Sequence, residues 1–123
     1  MSRERDNGRV GLRAFFEIAK LWELNDIEML RLLGQTDHDV VDAWANEEGP
    51  DVSKDTLERI SYILGIFKAI NILLPIPERA NVWMRKPNKA PIFGGHSALK
   101  RMTAGNVSDL YVVRKYLDAE LNG

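Results

Sequence analysis

The sequence contains no cysteine among its 123 residues. Disulfides, thiolate metal ligands, iron–sulfur clusters and cysteine nucleophiles are therefore excluded. Long apolar runs are also missing: residues 70–77 are interrupted by Asn71 and two prolines, and a membrane span needs about 20 apolar residues. Residues 1–8 are charged and polar, without the apolar segment of a secretory signal. We therefore expect a soluble, cytoplasmic protein that makes no membrane contact.

Sustained alternation of apolar and polar residues, which half-buried strands need, is absent as well. Apolar residues instead recur at spacings of three and four, as in Leu12, Phe15, Ala19 and Trp22. The pattern predicts a single all-α unit. Helices are predicted over residues 10–22, 26–33, 37–46, 54–74, 78–86 and 109–121, with a further short helix after Ser97.

Capping signals define several of these helices. Asn25 followed by Glu28 has the spacing of a capping box, and Gly34 is placed to end that helix in a left-handed turn. Three serines precede predicted helices and are expected to cap them: Ser53, Ser97 and Ser108.

The charges are nearly balanced, at 17 basic and 18 acidic residues, but they are segregated along the chain. Residues 21–58 hold eleven acidic and two basic residues, whereas residues 79–101 hold six basic residues and no acidic one. The segregation predicts either two surfaces for different partners or one surface that meets its opposite in a dimer. Solvated faces that happen to segregate are the plain alternative.

Catalytic motifs are lacking. The two histidines, His38 and His96, do not have the H-E-x-x-H spacing that places two metal ligands on one helix face. Gly94 and Gly95 have neither a preceding strand nor a following lysine, as a phosphate-binding loop would. We therefore expect no enzymatic activity, no metal and no cofactor. A small enzyme would require a metal or cofactor that the sequence does not indicate.

Two predicted helices joined at Gly34 have the pattern of a helix-turn-helix. The second helix, however, offers Asp37, Asp39 and Asp42 and no cation, so the phosphate backbone would repel it. A helical scaffold without groove contact is therefore the alternative. If DNA is bound, its phosphates must be contacted by the basic block of a second subunit or by N-terminal arginines: Arg3, Arg5, Arg9 and Arg13. The expected base readers are Gln35, Thr36 and His38.

The second half carries the most distinctive motifs, W-x-R-x-P-N at residues 83–88 and F-G-G-x-S-x-L at residues 93–99. With the flanking residues 53–121, they resemble the C-terminal toxin-binding domain of the Xre/MbcA/ParS antitoxins. In that family a helix-turn-helix region precedes the domain. The resemblance therefore implies a helix-turn-helix-like region over residues 1–52 and a toxin-binding domain over residues 53–123.

The resemblance further implies a dimeric type II antitoxin that inhibits a RES-domain toxin, an enzyme that acts on NAD, and that represses its own operon by binding operator DNA. A projecting arginine or the chain end after Leu121 would occupy the toxin cleft. Arginine and tryptophan are common interface anchors. The expected toxin-binding residues are Arg79, Trp83, Arg85, Lys86, Asn88, Arg114, Tyr116, Asn122 and Gly123. The alternative is a helix-turn-helix transcriptional regulator without a toxin, whose C-terminal half only dimerises.

Overall fold

The computed structural model describes residues 3–123, with side chains from residue 6 onward. The side chains of Arg3 and Arg5, expected near phosphates, lie outside the described residues. The described range contains seven α-helices, one 3₁₀ turn and no strand, which confirms the all-α prediction. The elements are α1 Arg3–Leu21, α2 Asp26–Leu33, α3 His38–Ala45, α4 Lys54–Leu73, α5 Pro77–Trp83, the 3₁₀ turn Pro91–Phe93, α6 Ala98–Met102 and α7 Val107–Asn122.

Helix α4 is the spine of the fold, because α1, α2, α5 and α7 all pack against it. Its periodic apolar residues are fully buried, as are those of α7 that face it. Each such side chain contributes about 1.5–3 kcal/mol when it leaves water. The buried positions are Ile60, Ile63, Ile66 and Ile70 of α4 and Leu110, Val113 and Leu117 of α7.

The capping signals predicted at Asn25, Gly34, Ser53 and Ser97 are confirmed. Asn25 Oδ1 accepts the Glu28 N–H at 2.8 Å, and Glu28 Oε1 accepts the Asn25 N–H at 2.9 Å. Gly34 ends α2 with φ at 68°, in the left-handed region. Ser53 caps α4 and Ser97 caps α6 through their hydroxyl oxygens.

Two helix ends differ from the prediction by three residues or more. Helix α1 begins at Arg3 rather than at residue 10, because its first turns are polar and lack the apolar stripe that marked the rest. Helix α5 ends at Trp83 rather than at residue 86, because the Met84 carbonyl instead accepts the N–H of Leu99 at 2.9 Å. This hydrogen bond turns the chain back toward α6.

The expected cap at Ser108 is wrong. Helix α7 starts at Val107, and Asp109 Oδ2 accepts the backbone N–H of Asn106 at 3.2 Å. The buried Asp109 carboxylate also accepts Arg101 Nε at 2.8 Å. Arg101 therefore fixes the start of α7 against α6.

Polar contacts join α4 to segments on both sides of residue 52, the predicted boundary between the two halves. The buried Thr56 hydroxyl donates to the Leu33 carbonyl at 2.9 Å and accepts Gln35 Nε2 at 3.0 Å. Arg59 Nη2 donates to the Gly105 carbonyl at 3.2 Å. The pair α2–α3 is thus attached to α4, and α4 to the α6–α7 loop.

Within the described residues, no helix has both the length and the apolar character needed to cross a membrane.

Candidate functional site

An apolar groove of about 230 Å³ opens where the C-terminal ends of α4 and α7 meet α5. Its lining is aliphatic and aromatic except for one carboxylate. The lining residues are Ile70, Leu73, Leu74, Trp83, Tyr116, Leu117 and Glu120.

Phe93 supports the aromatic wall of this groove. It is buried and meets the ring of Trp83 at a centroid distance of 6.1 Å and that of Tyr116 at 5.3 Å, both edge to face. Such pairs are worth about 0.5–1.5 kcal/mol beyond their buried area. Trp83 and Tyr116, both expected to bind a toxin, are therefore held half-buried at one site.

The chain elements that form this groove also carry exposed apolar side chains. Ile72 of α4, Ile76 before α5, Val82 of α5 and Leu121 of α7 are between 37% and 56% exposed. Exposed apolar side chains that are grouped on a protein surface commonly mark protein–protein interaction sites. The arrangement favours a protein partner over a small molecule.

The two sequence motifs mainly build the loop behind this surface. The Asn88 N–H donates to the His96 carbonyl at 3.0 Å, and Asn88 Oδ1 accepts the Ala90 N–H at 2.9 Å. Gly94 and Gly95 have φ values of 56° and 85°, which glycine adopts without strain. Asn88, expected to bind a toxin, is thus engaged in the hydrogen bonds of its own loop.

Arg85 faces the N-terminal half instead of the groove. Its guanidinium donates to both oxygens of Glu28 at 3.0 Å, to the Glu23 carbonyl at 2.7 Å and to the Trp22 carbonyl at 3.2 Å. Glu28 is also the capping-box residue of α2. The side chain expected to project into a toxin therefore joins α5 to the α1–α2 turn.

Acid is expected to weaken the ion pair between Arg85 and Glu28. Burial alone would raise the pKa of Glu28, but hydrogen bonds from Arg85 and the Asn25 N–H, with the charge of Arg85, lower it below the ordinary 4.5. A lowered folded-state pKa adds stability that is complete above the unfolded-state pKa and is lost as the pH falls through the folded-state pKa.

We therefore expect Glu28→Gln to cost about 1 kcal/mol near pH 7, since the pair is partly exposed, and to reduce the loss of stability below about pH 4.5. Urea unfolding of both proteins at neutral and acidic pH measures the difference. Glu17→Gln, which alters an exposed pair with Lys20, is the matched control and should stay within about 0.5 kcal/mol of wild type. An identical acid response in wild type and Glu28→Gln would contradict the assignment.

The remaining expected toxin contacts are spread over the C-terminal half. Arg79 and Lys86 are exposed, and Asn122 and Gly123 lie at the exposed end of α7. Arg114 lies over Gly65 and pairs with Asp118 at 3.2 Å. The structure thus brings only Trp83 and Tyr116 of the predicted set into the groove.

The aliphatic part of the groove was missed by the sequence analysis. Ile72, Leu73 and Leu74 are consecutive apolar residues at the end of α4, and one buried helix face cannot accommodate three in a row. That run was the signal for an additional apolar surface.

The residues predicted to contact DNA are largely engaged within the chain. Arg9 donates to the carbonyls of Glu48 at 2.6 Å and Gly49 at 2.9 Å, and Arg13 pairs with Glu47. These contacts attach α1 to the loop after α3.

Among the predicted base readers, Gln35 is half-buried and bonded to Thr56, whereas Thr36 and His38 are exposed. Helix α3 begins with Asp37 as its N-cap and presents Asp39 in its first turn.

No group of histidine and carboxylate side chains suited to a metal occurs within residues 6–123.

Comparison with known proteins identifies the class of this domain. Residues 69–123 match the family model described as the antitoxin Xre/MbcA/ParS C-terminal toxin-binding domain. All the residues that line the groove fall within this range. The groove therefore belongs to a toxin-binding domain.

A relative from Sinorhizobium fredii (strain NBRC 101917 / NGR234), named "Uncharacterized protein y4oB", is 44% identical over 120 residues. The similarity covers 96% of this chain and 91% of the relative, and so includes the N-terminal half. Residues 69–123 belong to the Xre/MbcA/ParS antitoxin family as its C-terminal toxin-binding domain, which confirms the resemblance carried by the two motifs.

Proposed function

We propose that this protein is a non-catalytic type II antitoxin that binds and inhibits a RES-domain, NAD-consuming toxin through the apolar groove. The observation that carries the proposal is the coincidence of the groove with the family's toxin-binding domain. Trp83 and Tyr116 are rigid aromatic anchors, because Phe93 already fixes both rings before a partner arrives. The homodimer and the repression of its own operon are further parts of the proposal.

Glu120 gives the groove a polar margin and a defined polarity. It is the only carboxylate of the lining, and it lies one turn after Leu117 near the end of α7. A partner suited to this site inserts an apolar side chain and places a donor or cation opposite Glu120. The expected role of Asn122 and Gly123 as contacts with the toxin cleft fits the adjacent, exposed end of α7.

Purification of the tagged protein from its native host, followed by identification of the stoichiometric partner, tests the proposal. A RES-domain protein that consumes NAD alone and is silent in the complex is the expected result. Recovery of a discrete DNA fragment without any toxin would instead establish the alternative, a transcriptional regulator whose C-terminal half only dimerises.

A matched pair of substitutions locates the interface. Val82→Asp introduces a charge at an exposed residue of α5, next in the chain to Trp83 of the groove, and should abolish co-purification of the toxin, because burying an unpaired carboxylate is costly. Val10→Asp makes the same change at an exposed valine of α1 and should leave co-purification unchanged. Equal retention of the toxin by both variants would place the interface elsewhere.

A further inference from the structure

A second pocket, of about 290 Å³, lies where α2, the end of α5 and α6 meet. It is lined by Glu28, Arg85, Ser97, Leu99, Lys100 and Thr103. Arg31 of α2 extends to the same place, where Nη1 is 3.4 Å from the Thr103 carbonyl oxygen. The pocket therefore receives residues from both halves of the chain.

The pocket is electropositive in a protein whose net charge is −1. Its single carboxylate, Glu28, is bound by Arg85 on both oxygens. Arg31 and Lys100 are exposed and form no ion pair with another described residue. Two cations are thus available to an anion, with the Ser97 hydroxyl beside them, whereas the Thr103 hydroxyl donates to the Leu99 carbonyl at 2.8 Å.

The position of the pocket indicates which anion it fits. In a helix-turn-helix bound to DNA, the second helix enters the major groove while the first crosses the phosphate backbone. Here the first helix of the pair is α2, which contributes Arg31 and Glu28. The second, α3, is acidic, so it supplies no attraction to phosphate.

We propose that Arg31, Lys100 and the Arg85-lined pocket between them bind phosphodiester groups of duplex DNA. Arg31 of α2 and Lys100 of the toxin-binding half thereby supply the phosphate contacts that α3 lacks, and Thr36 and His38 remain exposed for the major groove of the DNA. This inference rests on the operator binding included in the proposed function, and not on toxin inhibition.

Fluorescence anisotropy tests the proposal with two labelled duplexes of equal length, one from directly upstream of the protein's own reading frame and one unrelated. Lys100→Gln should weaken binding to both by about five- to ten-fold at ~0.1 M salt and reduce the salt slope by about one. Arg31→Gln should behave alike, and Lys100→Arg should retain binding. Lys68→Gln, an exposed lysine of α4, is the matched control and should match wild type.

Four outcomes would overturn the assignment. If Lys100→Gln and Arg31→Gln bind DNA like wild type, the backbone is contacted elsewhere and operator binding stands. If wild type binds neither duplex at low salt, with or without toxin, operator binding fails as well. If the substitutions weaken only self-association or toxin binding, Arg31 and Lys100 contact an acidic protein surface and not DNA. If inorganic phosphate shifts the amide resonances of residues 97–103 but duplex does not, the ligand is free phosphate.

Toxin co-purification by the same variants, expected to be unchanged, tests the main proposal separately.

Discussion

Tyr116→Ala is expected to weaken toxin binding by about 30- to 100-fold, the effect of losing an interface anchor worth about 2–3 kcal/mol. The ring lines the apolar groove and is held edge to face against buried Phe93. It thus pays little conformational entropy on binding. Calorimetric titration of the purified toxin measures the change.

Tyr111→Ala is the matched control, because Tyr111 is an exposed tyrosine on the same helix that contacts Tyr62 at 5.8 Å and lies outside the groove. It should change toxin binding by less than about three-fold, as residues outside an interface do. Trp83→Ala provides a second test from the other wall of the groove. Comparable toxin affinity for Tyr116→Ala and Tyr111→Ala, with Trp83→Ala also unimpaired, would refute the assignment of the groove.

Gly34→Ala is expected to destabilise the fold by about 3 kcal/mol. With φ at 68°, Gly34 occupies a conformation that costs an L-residue about 1–2 kcal/mol. A Cβ there would also lie 2.5 Å from Arg59 Nε and 2.7 Å from Arg59 Cζ. That guanidinium is almost fully buried and bound to Asp55 and to the Gly105 carbonyl. Displacing it breaks charge-assisted hydrogen bonds worth about 1.5–3 kcal/mol.

Gly94→Ala separates these two causes. Gly94 also has a left-handed φ, of 56°, but nothing lies within 4 Å of the position of an added Cβ. Its replacement should therefore cost only the backbone strain, about 1 kcal/mol. Urea unfolding of both variants at one pH gives the comparison. Equal losses at the two positions would show that the contact with Arg59 contributes nothing.

Local signals were the part of the fold that the sequence could predict. The capping box of Asn25 and Glu28, the left-handed Gly34 and the caps at Ser53 and Ser97 depend on residues at most three or four apart. Helix α1 was predicted too short because its first turns carry charge, and their contact through Arg9 is with a loop about 40 residues away. Periodicity records a buried face and gives no sign of a polar turn that packs through hydrogen bonds.

In the candidate site, too, residues named by local sequence differ from contacts that only the folded chain creates. Trp83 and Tyr116 were predicted from a family motif and from residue type; both rings contact Phe93 and both line the groove. Arg85 was predicted from the same motif, but its partner Glu28 lies 57 residues earlier. A single sequence shows that an arginine is present, whereas whether that arginine is free or already bound depends on the folded chain.

The packing of α7 on α4 also sets an order of events during synthesis. Helix α4 leaves the ribosome before α7, so the part of its buried face that α7 covers stays exposed until the last helix is made. Tyr116, Leu117 and Glu120 of the groove come from that same helix. A nascent chain therefore exposes its core and lacks its toxin site together. Chains competent to neutralise a toxin are the same chains that have closed their core against chaperones and proteases.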